Sequence, residues 1–250
     1  MNIDIVCKII FTILVVIFIV TTVVKRFCYF KPIEKYKETQ EDYTIFKHNH
    51  IVGWLLKNKD SDKIVMFCHG YNGNISHREN KYIELFKMGY TVLTFDYSGF
   101  GKTSGIPSEQ RLYEDASSIL SMIKKTYENK NILIYGESMG CPVAIYVARR
   151  FNLGLVILES PLISIKGVID NKHCLLKLVS FLFNDFDIKK YLLGYKGKIL
   201  LLHSTDDEVV PYDSIFTINN HITKHIPMTG SHKFPNIPWD KIQEFINESN

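Results

Sequence analysis

The sequence is short of the patterns from which metal centres, disulfide frameworks and nucleotide loops are built. Its five cysteines, Cys7, Cys28, Cys68, Cys141 and Cys174, show no paired short spacing, so neither a zinc ribbon nor a disulfide scaffold is expected. No His-Glu-x-x-His pair occurs among the histidines, which removes the usual helical zinc site. A Gly-x-x-x-x-Gly-Lys phosphate loop is missing too. Residues 99–104 have its ending, but the first glycine is not at the required offset, and Gly105-Ile106-Pro107 follows where a helix should start. The formal charge is only +4 and is generated largely beside the amino-terminal apolar segment. No basic stripe alternates with aromatics, so nucleic acid is not an expected partner. Repeats and low-complexity tracts are absent. Neither a cofactor nor a metal is expected.

What the chain does carry is Gly136-Glu137-Ser138-Met139-Gly140, directly after the apolar run 131–135 and before the helix-like run 143–148. Strand, Gly-x-Ser-x-Gly, helix is the arrangement of a nucleophile elbow. A serine on so tight a turn sits in strained backbone geometry, and a bulky side chain at either flanking position would collide with it. The turn also sets the first free N–H groups of the helix beside the hydroxyl, ready to hold a negative oxygen. Ser138 is the nucleophile candidate.

A serine needs a base to take its proton and an acid to orient that base. The buried-strand pattern 198–203 ends in Asp206-Asp207-Glu208, and carboxylates past the carboxyl end of a parallel strand share the rim with the elbow. A last short strand over 223–226 is followed by a loop that holds His232, then by a helix from about Ile237. The order serine, acid, histidine is that of one particular fold.

On these motifs, with His69-Gly70 after a strand and Asp96-Tyr97-Ser98-Gly99-Phe100-Gly101, residues 40–250 resemble an α/β-hydrolase. More closely, His69-Gly70-Tyr71-Asn72-Gly73-Asn74 and the segment 96–109 resemble the membrane-anchored "α/β-hydrolase domain-containing" serine hydrolases, a branch that includes protein depalmitoylases. The resemblance implies an acid four residues before the proline of Asp-x-x-Val-Pro. That is Asp207 in Asp207-Glu208-Val209-Val210-Pro211, with Asp206 the near rival. It also implies an oxyanion hole from the N–H groups of Met139 and Tyr71. One departure is Lys233, where an Asn or Asp commonly follows the histidine. It leaves the base assignment intact and bears on how the loop is supported.

Other polar residues have plainer readings. His69, before the oxyanion glycine, is expected to tie the loop by hydrogen bonds, and Asp96 to support a turn. His203 is read as a satisfied rim residue, and His225 lies inside the last strand. Glu137 faces either the pocket edge or solvent.

Residues 9–24 carry no charge and are bracketed by Lys8 and Lys25-Arg26, whose long side chains can snorkel to headgroups. At ~1.5 Å per residue this is slightly short for a core of ~30 Å, but the flanks from 5 to 30 extend it. Residues 1–30 are therefore expected to form a transmembrane signal-anchor that meets the bilayer through 9–24. No small-x-small site follows, which disfavours the competing cleaved signal peptide. Lys25, Arg26, Lys31, Lys35 and Lys37 follow the segment and only Lys8 precedes it, so the positive-inside tendency puts the catalytic domain in the cytosol. Cys28, just past the anchor, could be S-acylated; an unmodified interfacial cysteine is the plainer reading.

Residues 31–42 read as a charged linker and 43–250 as the hydrolase domain. Repeated strand-helix units imply an α/β fold, a mostly parallel sheet with helices on both faces. The stretch between Glu159 and Lys198 is short for a lid domain, and its apolar run 175–183 suits a small cap or acyl groove. The expected activity is hydrolysis of an acyl ester or thioester through an acyl-enzyme on Ser138, with long-chain acyl or S-acylated protein substrates. The alternative is a catalytically silent, membrane-tethered binding or scaffolding module.

Overall fold

The computed structural model describes residues 3–172, 180, 182–183 and 185–249. In chain order it runs α1 (Ile3–Cys28), β1 (Lys31–Pro32), a hairpin of β2 (Thr44–His48) and β3 (Ile51–Leu56) turned at Asn49, β4 (Ile64–Cys68) and β5 (Asn72–Gly73). Then come α2 (Glu79–Lys87), β6 (Thr91–Phe95), α3 (Glu109–Ile123), β7 (Ile132–Glu137), α4 (Gly140–Arg150) and β8 (Leu155–Glu159). The chain finishes with α5 (Ile165–Lys172), α6 (Lys189–Leu192), β9 (Lys198–Ser204), β10 (Lys224–Gly230), β11 (Pro235–Asn236) and α7 (Trp239–Ser249).

The main sheet has the order β11-β10-β9-β8-β7-β4-β6-β3-β2, parallel from β10 to β6 and antiparallel at both edges. Its middle strands are continuous apolar runs because both faces are covered. Ile64, Met66 and Cys68 of β4 join the cluster that holds Leu112, Ile119, Val143 and Val147 of α3 and α4. Val65 and Phe67 join the one with Tyr82, Leu85, Ile242 and Phe245 of α2 and α7. With the strands parallel, the loops after β4, β7, β9 and β10 meet along one edge, where ligands of open α/β sheets bind.

β10 runs four residues past the expected end at Ile226, through Pro227. A proline is tolerated there because β11 pairs with only Thr229 and Gly230, leaving that side of Pro227 open.

The expected linker is not a free tether in its first part. Just before it, Tyr29 and Phe30, the last residues of the expected anchor segment 1–30, are buried against Phe183, Phe100 and Phe186, and within it β1 pairs with β5. The Asn74 amide donates to the carbonyls of Ile33 (2.7 Å) and Lys35 (3.0 Å), and the Tyr36 hydroxyl donates to Asp96 (2.6 Å). Its charge and proline hid these contacts because the partners are distant in sequence.

Among the described residues no helix is long and apolar enough to cross a membrane. The backbone of α1 is helical from Ile3 to Cys28. The side chain of Cys28, the whole of Cys174, and residues 175–179 and 181 of the expected cap lie outside the described residues.

Candidate active site

β7 hands the chain to α4 through Ser138, a left-handed residue at φ 52°. A Cβ on Gly136 would lie 2.7 Å from the Cα of Cys141, and one on Gly140 would lie 2.0 Å from the carbonyl oxygen of Cys68. Both glycines serve to make room, since neither has a positive φ. Pro142 sits in the first turn of α4, where its missing N–H costs nothing.

Three separated segments converge on this turn. Ser138 Oγ lies 2.9 Å from Nε2 of His232, and Nδ1 of His232 lies 2.7 Å from Oδ2 of Asp207. The other oxygen of Asp207 accepts the N–H groups of Val209 (2.9 Å) and Val210 (2.7 Å). Burial pushes the Asp207 pKa up, but the hydrogen bond and charge of His232 and the two N–H groups outweigh it, holding it below its ordinary 3.8. An ionised Asp207 accepts Nδ1–H, so the lone pair of Nε2 faces the serine, the tautomer that can take a hydroxyl proton. Asp206, the rival acid, instead accepts the N–H of Gly230 (3.1 Å) and secures the end of β10.

Met139 is the N-cap residue of α4, and Tyr71 opens the loop after His69-Gly70. Among the described residues neither backbone N–H has a hydrogen-bond partner, so both remain available to a developing negative charge. His69 is fully buried, with Nδ1 2.7 Å from the carbonyl of Gly70 and its ring against Tyr97 and Phe100. Burial, with the nearby Arg78, pushes its pKa down to about 3, so it is neutral. Asp96 accepts the N–H of Ile75 (3.0 Å) as well as the Tyr36 hydroxyl, and burial raises its pKa to about 6. Both residues are braces of the loop. His203 donates from Nε2 to the carbonyl of Val210 (3.0 Å) and so fixes the loop of Asp207 from beneath.

A sequence profile described as "Serine aminopeptidase, S33" matches residues 59–198, from before β4 to the start of β9. The chain belongs to this family of α/β-hydrolases. An uncharacterized protein of Acanthamoeba polyphaga mimivirus is 30% identical over 74% of this chain and 71% of its own length. An uncharacterized membrane protein of Saccharomyces cerevisiae is 30% identical over 83% of this chain and 80% of its own. Alpha/beta hydrolase domain-containing protein 17B of Homo sapiens is 29% identical over 59% of this chain, and the match spans about half, 51%, of that protein. Among solved structures, an esterase of Pyrococcus furiosus superposes with a TM-score of 0.71 at 20% identity, covering 89% of this chain and 98% of that one. An α/β-hydrolase of Vibrio vulnificus gives 0.70 at 21%, covering 83% and 80%. These two share the fold.

The hydrolase also contains a group of ion pairs for which its sequence has no local signal. Ser138 opens into a cleft of about 570 Å³. Beside it, Glu137 accepts from Arg78 (2.9 Å) and Lys81 (2.8 Å), and Lys81 also donates to Glu159 (2.6 Å). The second oxygen of Glu159 accepts the Tyr135 hydroxyl (2.6 Å). Glu137 is thus paired at the cleft edge. Arg78 further donates to the carbonyls of Asn72 (2.6 Å) and Asn74 (3.1 Å), tying the Tyr71 loop to the elbow.

Proposed function

We propose that this hydrolase is a serine enzyme, held in a membrane by α1, that cleaves acyl esters or thioesters through an acyl-enzyme on Ser138. The observation that carries the reading is the chain of two short hydrogen bonds from Ser138 through His232 to Asp207. As Oγ attacks the carbonyl carbon, its proton passes to Nε2, and Asp207 stabilises the imidazolium. The charge that builds on the carbonyl oxygen falls to the N–H groups of Met139 and Tyr71. The C–O or C–S bond then breaks, and the departing alcohol or thiol takes the proton from Nε2. Water enters, gives a proton to Nε2 and attacks the acyl-enzyme; a carboxylic acid leaves and Oγ regains its proton.

An apolar rim supports a long acyl chain. Ile33 and Phe234, 42% and 71% exposed, both line the cleft beside Ser138. Each methylene that such a rim takes from water contributes up to ~0.8 kcal/mol. For the full chain in micelles, kcat/KM is expected to be at least about tenfold higher for hexadecanoyl than for butanoyl esters, and an S-palmitoylated peptide is expected to be turned over. No preference for the longer chain would end the substrate part of this reading and leave hydrolysis standing.

The anchor is supported by apolar side chains exposed all round α1, including Ile9, Ile10, Phe11, Ile13 and Leu14. A helix apolar on every face suits lipid. The basic residues after it favour a cytosolic domain. The full-length protein should sediment with membranes after alkaline carbonate washing. Recovery in the supernatant would remove the anchor.

A further inference from the structure

We infer that the acyl group taken by this cleft is presented on an anionic carrier. The inference rests on the hydrolytic reading above and names the substrate class of the same site. The inner cations of the cleft, Arg78 and Lys81, are matched by Glu137 and Glu159. Two further lysines line it: Lys37, from the segment after β1, and Lys233, from the loop that carries His232. Both are exposed, and among the described residues neither has an ion-pair partner. The remaining carboxylate of the described lining, Glu208, accepts the backbone N–H of His232 (2.9 Å).

The two lysines line the same cleft from segments far apart in sequence. His77, half-buried in the same lining, has its pKa pushed down by burial first, then by Lys37 and Arg78, with Lys233 adding to them. Lys233 is not needed to hold its own loop. That loop is closed by His232 N–H on Glu208 and by Phe234 N–H on Ser231 (3.1 Å). Its ammonium instead sits 5.1 Å from the centre of the exposed Phe234 ring, at the cleft rim. A cleft wall with surplus charge of one sign concentrates the opposite charge, and the effect fades as salt shortens the Debye length. A carboxylate or phosphate on the carrier would enter a cleft that both lysines line together with Ser138.

The test uses three thioesters of one octanoyl chain on carriers of different charge: 3-mercaptopropionate, 2-mercaptoethanol and thiocholine. Leaving-group reactivity differs among them, so the quantity to read is the anionic-to-neutral ratio of kcat/KM, wild type against the Lys37→Glu, Lys233→Glu double variant. The ratio is expected to fall about tenfold or more in the variant at low salt, with the cationic-to-neutral ratio rising. An equal ratio in both proteins would overturn the inference alone. Should the variant fold poorly, wild type decides: its ratio is expected to drop several-fold between about 0.02 M and about 0.5 M salt, and a flat ratio overturns the inference. No turnover of any of the three would remove the hydrolytic reading and this inference with it.

Discussion

Asp207→Asn is expected to lower kcat by about 10⁴ while leaving the thermal midpoint and circular dichroism spectrum near those of wild type. The amide can still accept the N–H groups of Val209 and Val210 through its oxygen. It then turns an NH₂ toward His232, so Nδ1 must accept and Nε2 must carry the proton. In that tautomer the imidazole cannot take the Ser138 proton, although the hydroxyl remains 2.9 Å away. The companion Asp206→Asn keeps an acceptor for Gly230 N–H and touches no part of the relay, so its loss should stay within about tenfold. Steady-state rates of the two variants decide between the carboxylates. A larger loss at 206 than at 207 would move the acid by one residue and contradict the geometry.

The second large effect is on stability. Lys81 stands between Glu137 and Glu159, at 2.8 and 2.6 Å, and Glu159 is only 1% exposed. Lys81→Ala leaves Glu159 without a cation and Glu137 with Arg78 alone, which is expected to cost about 3–5 kcal/mol of unfolding free energy at neutral pH. Urea titration measures it. The pH dependence follows from Glu137. Burial acts to raise its pKa, but Arg78 and Lys81 outweigh that and hold the carboxyl well below its ordinary 4.5. A depressed carboxyl contributes stability that is fully present above 4.5 and is lost as the pH falls toward the folded-state value. The deficit of Lys81→Ala should therefore be largest near neutrality and shrink in acid, where a protonated glutamate needs no ammonium. A deficit of the same size at pH ~7 and at pH ~3, well inside that window, would contradict this account.

The parts of the site that are legible in the sequence are those fixed by local sterics. Gly136 and Gly140 can be read because the turn leaves no room for a Cβ, and the close approaches of Cys141 and Cys68 bear that out. The parallel sheet is legible because continuous apolar runs such as Ile64–Cys68 have few other uses. The family resemblance implies Asp207 and leaves Asp206 as its rival; in the structure it is the carboxylate of Asp207 that lies 2.7 Å from the imidazole, while Asp206 accepts the N–H of Gly230. What stays hidden depends on pairs distant in the chain. Arg78 and Glu137 are ordinary charges until the turn that leads into α2 is laid beside the end of β7. The segment 31–36 looks like a charged tether until the buried Asn74 takes its carbonyls and Asp96 its tyrosine. The length of β10 is also hidden, because a proline is a strand breaker until one sees that its open side has no neighbour.

The central claim is that the hydroxyl of Ser138 is made nucleophilic by His232, and covalent labelling tests it most directly. Full-length protein treated with a fluorophosphonate at neutral pH, then mapped by peptide mass spectrometry, should carry a single adduct on Ser138, with none in Ser138→Ala and much slower labelling in His232→Ala. A folded wild type that stays unlabelled, or an adduct that persists in Ser138→Ala, would contradict the account and leave a membrane-tethered binding module in its place.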